Sequence, residues 1–363
     1  MVKWHFERVA FPRQSVGLMG PNRVGERVKV MHCPSTGEYV MFMHSDDMGY
    51  KDPHTCYATS KTIDGEYIFR GPLLYKGQPI QRWDIGTFQD TDGRGYLLVH
   101  HGQIYELSAD YHSAIRLLPH IEGMGESPAM FKKRGIYYLL TSNLTSWEKN
   151  DNYYFTANNI NGPWTKRGNF CPKGTLTYNS QTTFVQPMVH NGDTIPIFMG
   201  DRWSYPHQAS SATYIWQPLQ VDGTNLAIPS FAPAWDINTV KSVTPLQGFH
   251  ALLLFDIESD AYWNRTDTLL QSNHPNAELS LDFTGSQAAI IGDLSSHGGY
   301  ARITINDSIG KEVSSLLIDF YSQIFDSGIR YVSPILPFGK YHLKLTVTGE
   351  HPKWSDKQKN NYG

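Results

Sequence analysis

One layout returns four times along the chain and limits what it can fold into: a polar residue, a short strand, a turn holding glycine, and a second strand rich in β-formers. In the clearest copy Glu126 precedes Ala129-Met-Phe131, the turn is Lys133-Arg-Gly135, and Ile136-Tyr-Tyr-Leu-Leu-Thr141 runs back. The others start at Glu26 (turn Pro34-Ser-Thr-Gly37), at Asp84 (turn Asp90-Thr-Asp-Gly93) and at Gln181 (turn His190-Asn-Gly-Asp193). The starts are 58, 42 and 55 residues apart, which suits β-propeller blades of about four short strands in roughly 40 to 50 residues. The innermost strands of a propeller converge on its axis. Glu26, Asp84, Glu126 and Gln181 are therefore predicted to meet in one central pocket.

The first residues, Val2-Lys-Trp-His-Phe-Glu-Arg-Val-Ala-Phe11, read as the last strand of a blade, as do Asp64–Pro72 and Asn161–Asn169. No first three strands precede them. The expectation is an all-β chain: a five-bladed β-propeller over residues 1–236 whose first blade is incomplete at the N-terminus, followed by a β-sandwich domain over 237–363. Pro229–Trp235 reads as a linker or capping loop. Alternating runs at 278–283, 287–292, 301–305, 312–318 and 341–347 supply the sandwich strands, and a final strand can be absent where the chain stops at Gly363.

Lys and Arg number 31 against 34 Asp and Glu, a net charge of −3, so nothing steers the chain toward nucleic acid or an anionic membrane. A neutral ligand suits it better, and a monomer is expected. The N-terminus has no apolar core of a signal peptide and no run is long enough for a membrane helix, so the compartment stays open. Cys33, Cys56 and Cys171 lack CxxC spacing and are expected as small buried side chains rather than a disulfide framework or a zinc site.

Between the repeated strands lie loops with aromatic faces and clustered hydrogen-bonding groups: Asp47 and Tyr50, Trp147, Tyr178, Asp201 and Trp203. That combination fits a pyranose, which offers apolar C–H faces and a rim of hydroxyls, although each aromatic taken alone also suits packing. Two carboxylates in a concave site are the minimum for glycoside hydrolysis. Glu126 is the candidate acid and Asp84, as a nearby like charge, the group that raises its pKa. Glu26 is followed by Arg27 and also reads as an ion-paired scaffold carboxylate.

The ordered set Glu26-Arg-Val-Lys-Val30, Tyr39-Val-Met-Phe-Met-His44, Asp84 with Asp90-Thr-Asp-Gly93, Glu126-Ser-Pro-Ala-Met-Phe-Lys132, Ser180-Gln-Thr-Thr-Phe184 and Met199-Gly-Asp-Arg-Trp203 resembles glycoside hydrolase family 43. Within that family it is most similar to the branch containing exo-β-1,3-galactanases, over roughly residues 2 to 238. The resemblance implies a five-bladed propeller, inversion of configuration, Glu126 as acid, Asp84 as its pKa modulator and Glu26 as a contact of the terminal sugar. It implies an oligo- or polysaccharide substrate such as the β-1,3-galactan of plant arabinogalactan, and export from the cell. Where the wider family places an Asp base in the first blade, this branch uses a Gln, matching Gln181. A neutral amide is a poor base, so Gln181 acts either as an imidic tautomer or by orienting water.

The rival readings are an α-L-arabinofuranosidase or β-galactofuranosidase on the same frame, and a carbohydrate-binding propeller without turnover. No metal cofactor is expected: His44, His100, His101 and His207 are not spaced as a zinc pair, though the resemblance allows Ca²⁺ in the axial channel. In the C-terminal domain, Asp293, His297 and Tyr300 on one glycine-rich stretch read either as a solvated turn or as a sugar contact.

Overall fold

A computed structural model of the chain describes residues 6–205, 214–252 and 254–355 and is all-β. Four sheets follow one another between Arg23 and Pro218, antiparallel apart from one short parallel bridge between Ala114 and Tyr75. Each carries at one edge a strand anticipated from the repeat: Arg23–His32, Gly86–Gln89, Glu126–Lys133 and Gln181–His190. The turn glycines 37, 93, 135 and 192 all have φ between +71° and +82°, a backbone region that side chains with a Cβ avoid. Those four glycines set the hairpins.

The core lies between successive sheets. Met31, Val40 and Phe42 pack with Leu97, Val99 and Tyr105 of the second sheet. Phe88 and Leu98 meet Met130, Leu139 and Phe155 of the third, and Ala129, Tyr138 and Leu140 meet Val185, Phe198 and Ile215 of the fourth. Stacking face to face explains why Tyr39–Asp47 is buried on both faces, whereas its edge neighbour alternates, with Arg27, Lys29 and Met31 buried and Val28, Val30 and His32 exposed. Each fully buried Leu or Phe contributes about 1.5–3 kcal/mol. The edge strands themselves come very close: a Cβ built on Gly86 would stand 2.1 Å from the Pro128 carbonyl oxygen, so only glycine fits.

Residues 6–11 do not form the anticipated strand, and residues 2–5 lie outside the described residues. The segment runs as coil against the first sheet, with the Tyr67 N–H donating to the Ala10 carbonyl at 2.7 Å and Phe11 packed against Phe69. Pro12 has no N–H to continue a ladder.

In the C-terminal part, Glu258–Ser259, Glu278–Gly285, Gly339–Val347, Tyr300–Asp307 and Glu312–Asp319 form one antiparallel sheet in that order. Ala289–Leu294 pairs with Asp326–Val332, a strand the sequence reading missed. Ile303, Ile305, Ile318 and Leu343 of the larger sheet share one apolar cluster with Tyr331 and Ile290 of the pair. Cys33, Cys56 and Cys171 are buried and free.

Candidate active site

The starts of the four edge strands are irregular in a way that matters. In a regular strand neighbouring side chains point to opposite faces. Here the pairing register shifts between Glu26 and Lys29, between Glu126 and Ala129, and between Thr182 and Phe184, and Arg27, Asp84 and Ser127 have positive φ of 54°, 47° and 56°. A bulge re-aims a side chain, so Arg27 and Ser127 turn to the same centre that Asp84 and Gln181 reach.

Arg27 is the hub of that centre. Its Nε donates to Asp84 Oδ1 at 2.8 Å, and one terminal nitrogen donates to Asp201 Oδ2 at 3.0 Å and the Thr182 carbonyl at 3.4 Å. The other donates to Ser127 Oγ and to Gln181 Oε1, both at 2.7 Å. All five guanidinium N–H groups are thus occupied by four different strands and their neighbours. Burial works against an ionised Asp84, but Arg27 and the Ser127 hydroxyl outweigh it and hold Asp84 below the usual carboxylate range.

Glu126 stands opposite in behaviour. Burial first, and the charge of Asp84 second, push its carboxyl up to about 7, against Arg27 and the hydrogen bond from Gln181. The expected like-charge effect is present, but loss of hydration is the larger cause. Gln181 Nε2 donates to Glu126 Oε1 at 3.1 Å and to Ser142 Oγ at 2.9 Å. Its Oε1 accepts from Arg27 and from the Trp203 indole N–H at 2.8 Å. Guanidinium and indole N–H groups only donate, which fixes the orientation of the amide.

Glu26 is not paired with Arg27, contrary to the scaffold reading. It accepts from the Tyr50 hydroxyl at 2.7 Å and faces His44 Nδ1 at 3.7 Å, while His44 Nε2 is held by Asp46 at 3.0 Å. Tyr50 meets Trp147 edge-on at 5.3 Å, and Trp147 in turn lies 5.1 Å from Trp203 and stacks on Tyr205 at 5.6 Å. Glu26, Tyr50, Trp147 and Trp203 therefore form one continuous wall beside Glu126 and Gln181.

Three anticipated sugar contacts are engaged by other groups of the chain. Asp47 Oδ1 accepts the N–H groups of Gly49 and Lys51 and shapes a turn. The Tyr178 hydroxyl donates to the Ile228 carbonyl at 2.9 Å and its ring packs on Phe231. Asp201 is committed to Arg27 and Thr183 on the axis. Tyr300 is buried, its hydroxyl 3.4 Å from Ser204 Oγ, which removes it from any solvated sugar-binding loop.

The sequence reading missed Arg27 as the hub, together with Ser127, Ser142 and the His44–Asp46 pair. Arg27 was visible only as the neighbour of Glu26, and strand alternation would aim it away. A Ca²⁺ on the axis does not fit, because the guanidinium already lies between the two carboxylates there, with the Lys29 ammonium nearby, lowered to about 8 by burial and by Arg27. Among the described residues no three His, Cys, Asp or Glu side chains group as metal ligands; His207 lies outside them.

No protein-family model matches the chain, and no curated protein sequence does. Solved structures do. One, from Bifidobacterium bifidum S17 and assigned as an exo-β-1,3-galactanase, is 32% identical over 61% of this chain and 76% of its own, with a TM-score of 0.57. The exo-β-1,3-galactanase of Phanerochaete chrysosporium, determined with β-1,3-galactotriose, is 23% identical over 94% of this chain and 83% of its own, with a TM-score of 0.61. A family 43 β-1,3-galactosidase determined with galactodeoxynojirimycin is 24% identical over 61% of this chain and 81% of its own, with a TM-score of 0.55.

Proposed function

The chain belongs to glycoside hydrolase family 43, and on that premise we propose that it is an inverting, exo-acting hydrolase of β-1,3-linked galactan. Its four N-terminal sheets are read as blades of a five-bladed β-propeller over residues 1–236, and residues 237–363 as an accessory β-sandwich domain. The repeat, the convergence of four edge strands on Arg27 and the apolar cluster shared by the two C-terminal sheets support that reading.

The observation that carries the function is the buried Glu126 carboxyl, which keeps its proton to about pH 7 and sits against Gln181, near the ionised Asp84. A general acid works best when its pKa lies near the operating pH. Glu126 gives its proton to the glycosidic oxygen as the bond to the anomeric carbon breaks. Water bonds to that carbon from the opposite face, and the proton it sheds passes to solvent, from which Glu126 is recharged. Glu26 and the aromatic wall hold the terminal galactose.

Of the two roles open to Gln181, orienting water is the better supported. An imidic tautomer places a hydrogen on Oε1, between two groups that have only hydrogens to offer. Held as an amide, Gln181 spends both N–H hydrogens on Glu126 and Ser142 and both Oε1 lone pairs on Arg27 and Trp203, so it orients the attacking water by exchanging one of these partners when substrate binds, without accepting the proton.

The test is digestion of β-1,3-galactotriose followed by ¹H NMR of the first-formed sugar. α-Galactose released stepwise from one end is expected. β-Galactose would overturn inversion, and arabinose from α-L-arabinofuranosides, or no release from any glycoside, would overturn the substrate or the activity.

A further inference from the structure

We propose that the C-terminal domain completes the active site from behind: Asp319 and Tyr321 are positioning residues that hold the loop and the tryptophan against which Glu126 and Gln181 are set. The inference rests on the roles given above to those two residues. It adds to them a part of the chain more than a hundred residues away.

Two routes lead from the C-terminal domain to the acid. In the first, Ser204 Oγ donates to Asp319 Oδ2 at 2.7 Å, and Ser204 follows Trp203, whose indole donates to Gln181 Oε1 at 2.8 Å. The opposite end of that amide donates to Glu126. In the second, the Tyr321 hydroxyl donates to Glu148 Oε2 at 3.0 Å within a buried interface. Glu148 closes a tight turn on Thr145, its N–H donating to the Thr145 carbonyl and its own carbonyl accepting from Thr145 Oγ1; Asn150 Nδ2 donates to Thr145 Oγ1 and to the Asn143 carbonyl, and Ser142, next to Asn143, accepts from Gln181 Nε2 through its Oγ. The routes are tied together twice. Asp319 Oδ1 accepts the Tyr321 N–H at 2.8 Å, and Lys149 Nζ donates to the Trp203 carbonyl at 2.6 Å.

Packing alone would not call for this chemistry. Glu148, Lys149 and Tyr321 are buried, and removing such groups from water is costly, so replacing them with apolar residues is often neutral or stabilising. Among the described residues Glu148 Oε1 has no hydrogen-bond partner, and what the connected hydrogen bonds around it supply instead is a single geometry. Here that geometry is delivered to both ends of the amide that bonds Glu126. If the Trp203 N–H is displaced, Gln181 Oε1 loses one of the two donors that orient it, and Glu126 loses the hydrogen bond that restrains its rise in pKa.

The experiment compares Trp203→Phe, Asp319→Ala, Asp319→Asn, Tyr321→Phe and the Trp203→Phe/Asp319→Ala pair on β-1,3-galactobiose. Each single hydrogen-bond loss is expected to lower kcat by about five- to tenfold, and the double variant by no more than the worse single one, because coupled losses do not add. Asp319→Asn, which keeps an acceptor, should recover most of the rate. The alkaline limb of kcat/KM should move to higher pH in Trp203→Phe and Asp319→Ala, a shift that a merely structural interface would not produce. A readout independent of substrate is the ¹⁵N–¹H resonance of the Trp203 indole, assigned by its loss in Trp203→Phe and expected to move in Asp319→Ala and in Tyr321→Phe. Should Asp319→Ala not fold, Tyr321→Phe removes a single oxygen and decides alone. Folded variants with an unmoved indole signal and an unmoved pH limb, or additive losses in the double variant, overturn the proposal. If the wild type releases no galactose but the indole signal moves as expected, the substrate is wrong and the coupling stands.

Discussion

The two ends of the edge strands differ sharply. At the pocket end the strands are bulged, three side chains sit on left-handed backbone, and charged groups are buried around Arg27. At the far end the same strands run in regular register to glycine turns and line a cavity of about 380 Å³. That end has a polar cluster of its own, Lys132 and the Tyr137 hydroxyl both donating to Asp90, at 2.7 and 2.5 Å. Both ends therefore hold paired charge. Only one departs from ideal strand geometry, and irregularity rather than buried charge marks the chemistry.

The hardest test of that contrast is Arg27→Met. It leaves Asp84 and Asp201 buried without their cation, and breaking such a pair from one side costs about 3–5 kcal/mol. Galactan hydrolysis should vanish and the melting temperature should fall steeply; Arg27→Lys should not restore activity, since an ammonium cannot present five N–H groups in a fork. A variant with near-native activity would remove Arg27 from the centre of the site.

Next comes Glu126→Gln, which keeps shape but has no transferable proton. The rate on oligosaccharides should drop about 10²-fold or more, and less on aryl galactosides whose leaving groups need little protonation. Equal losses on both would move the acid elsewhere. The pH dependence follows from the same group. Activity requires the protonated form, so kcat/KM should fall as pH rises through about 7. The folded chain also binds this proton more tightly than the unfolded one, so the contribution to stability is greatest below about 4.5 and is lost as pH rises through about 7. Glu126→Gln should flatten that part of the stability curve.

Asp84→Asn is expected to act more gently on Glu126 than on the fold. Removing the second cause of its raised pKa, and freeing Arg27 to oppose the proton, should move the alkaline limb to lower pH. Burial, the first cause, remains. A limb that stays put would show that Asp84 does not set the pKa of Glu126, directly or through Arg27.

The smallest effect belongs to the far end. Asp90→Asn should change stability by roughly 1–3 kcal/mol, as expected for a partly buried charged hydrogen bond, with kcat and KM on galactobiose unaltered. A change in either constant would link the two ends and end the contrast. Treatment with a chelator should likewise leave rate and melting temperature alone.

The sequence carried the regular half of this picture well. Turn glycines and period-two runs report local backbone, and the recurrence of one layout places Glu126, Asp84 and Gln181 at equivalent strand starts. Arg27 was hidden because period-two logic sends it to the face opposite Glu26; only a bulge brings it inward, and a bulge has no reliable sequence signature. Asp47 and Tyr178 show the converse, since a loop acid that caps a turn and a loop tyrosine that bonds a carbonyl look the same in a sequence as one that meets a sugar. The Tyr321–Glu148 contact spans 173 positions, and nothing local announces it.

The charges around Arg27 have a consequence for how such a site can change over generations. Arg27 and Lys29 oppose Asp84 and Asp201, two of each sign, and the amide of Gln181 joins them without altering the sum. A mutation that installed a carboxylate at 181 would arrive as an odd charge beside Glu126. It would accept from Arg27 and Trp203 readily enough, yet it would repel the ionised acid and raise its pKa further. A carboxylate at 181 is thus an unbalanced single step, and accommodating it requires the axis to be rebalanced first. An amide at this position is held in place by its neighbours' charges as much as by its own usefulness.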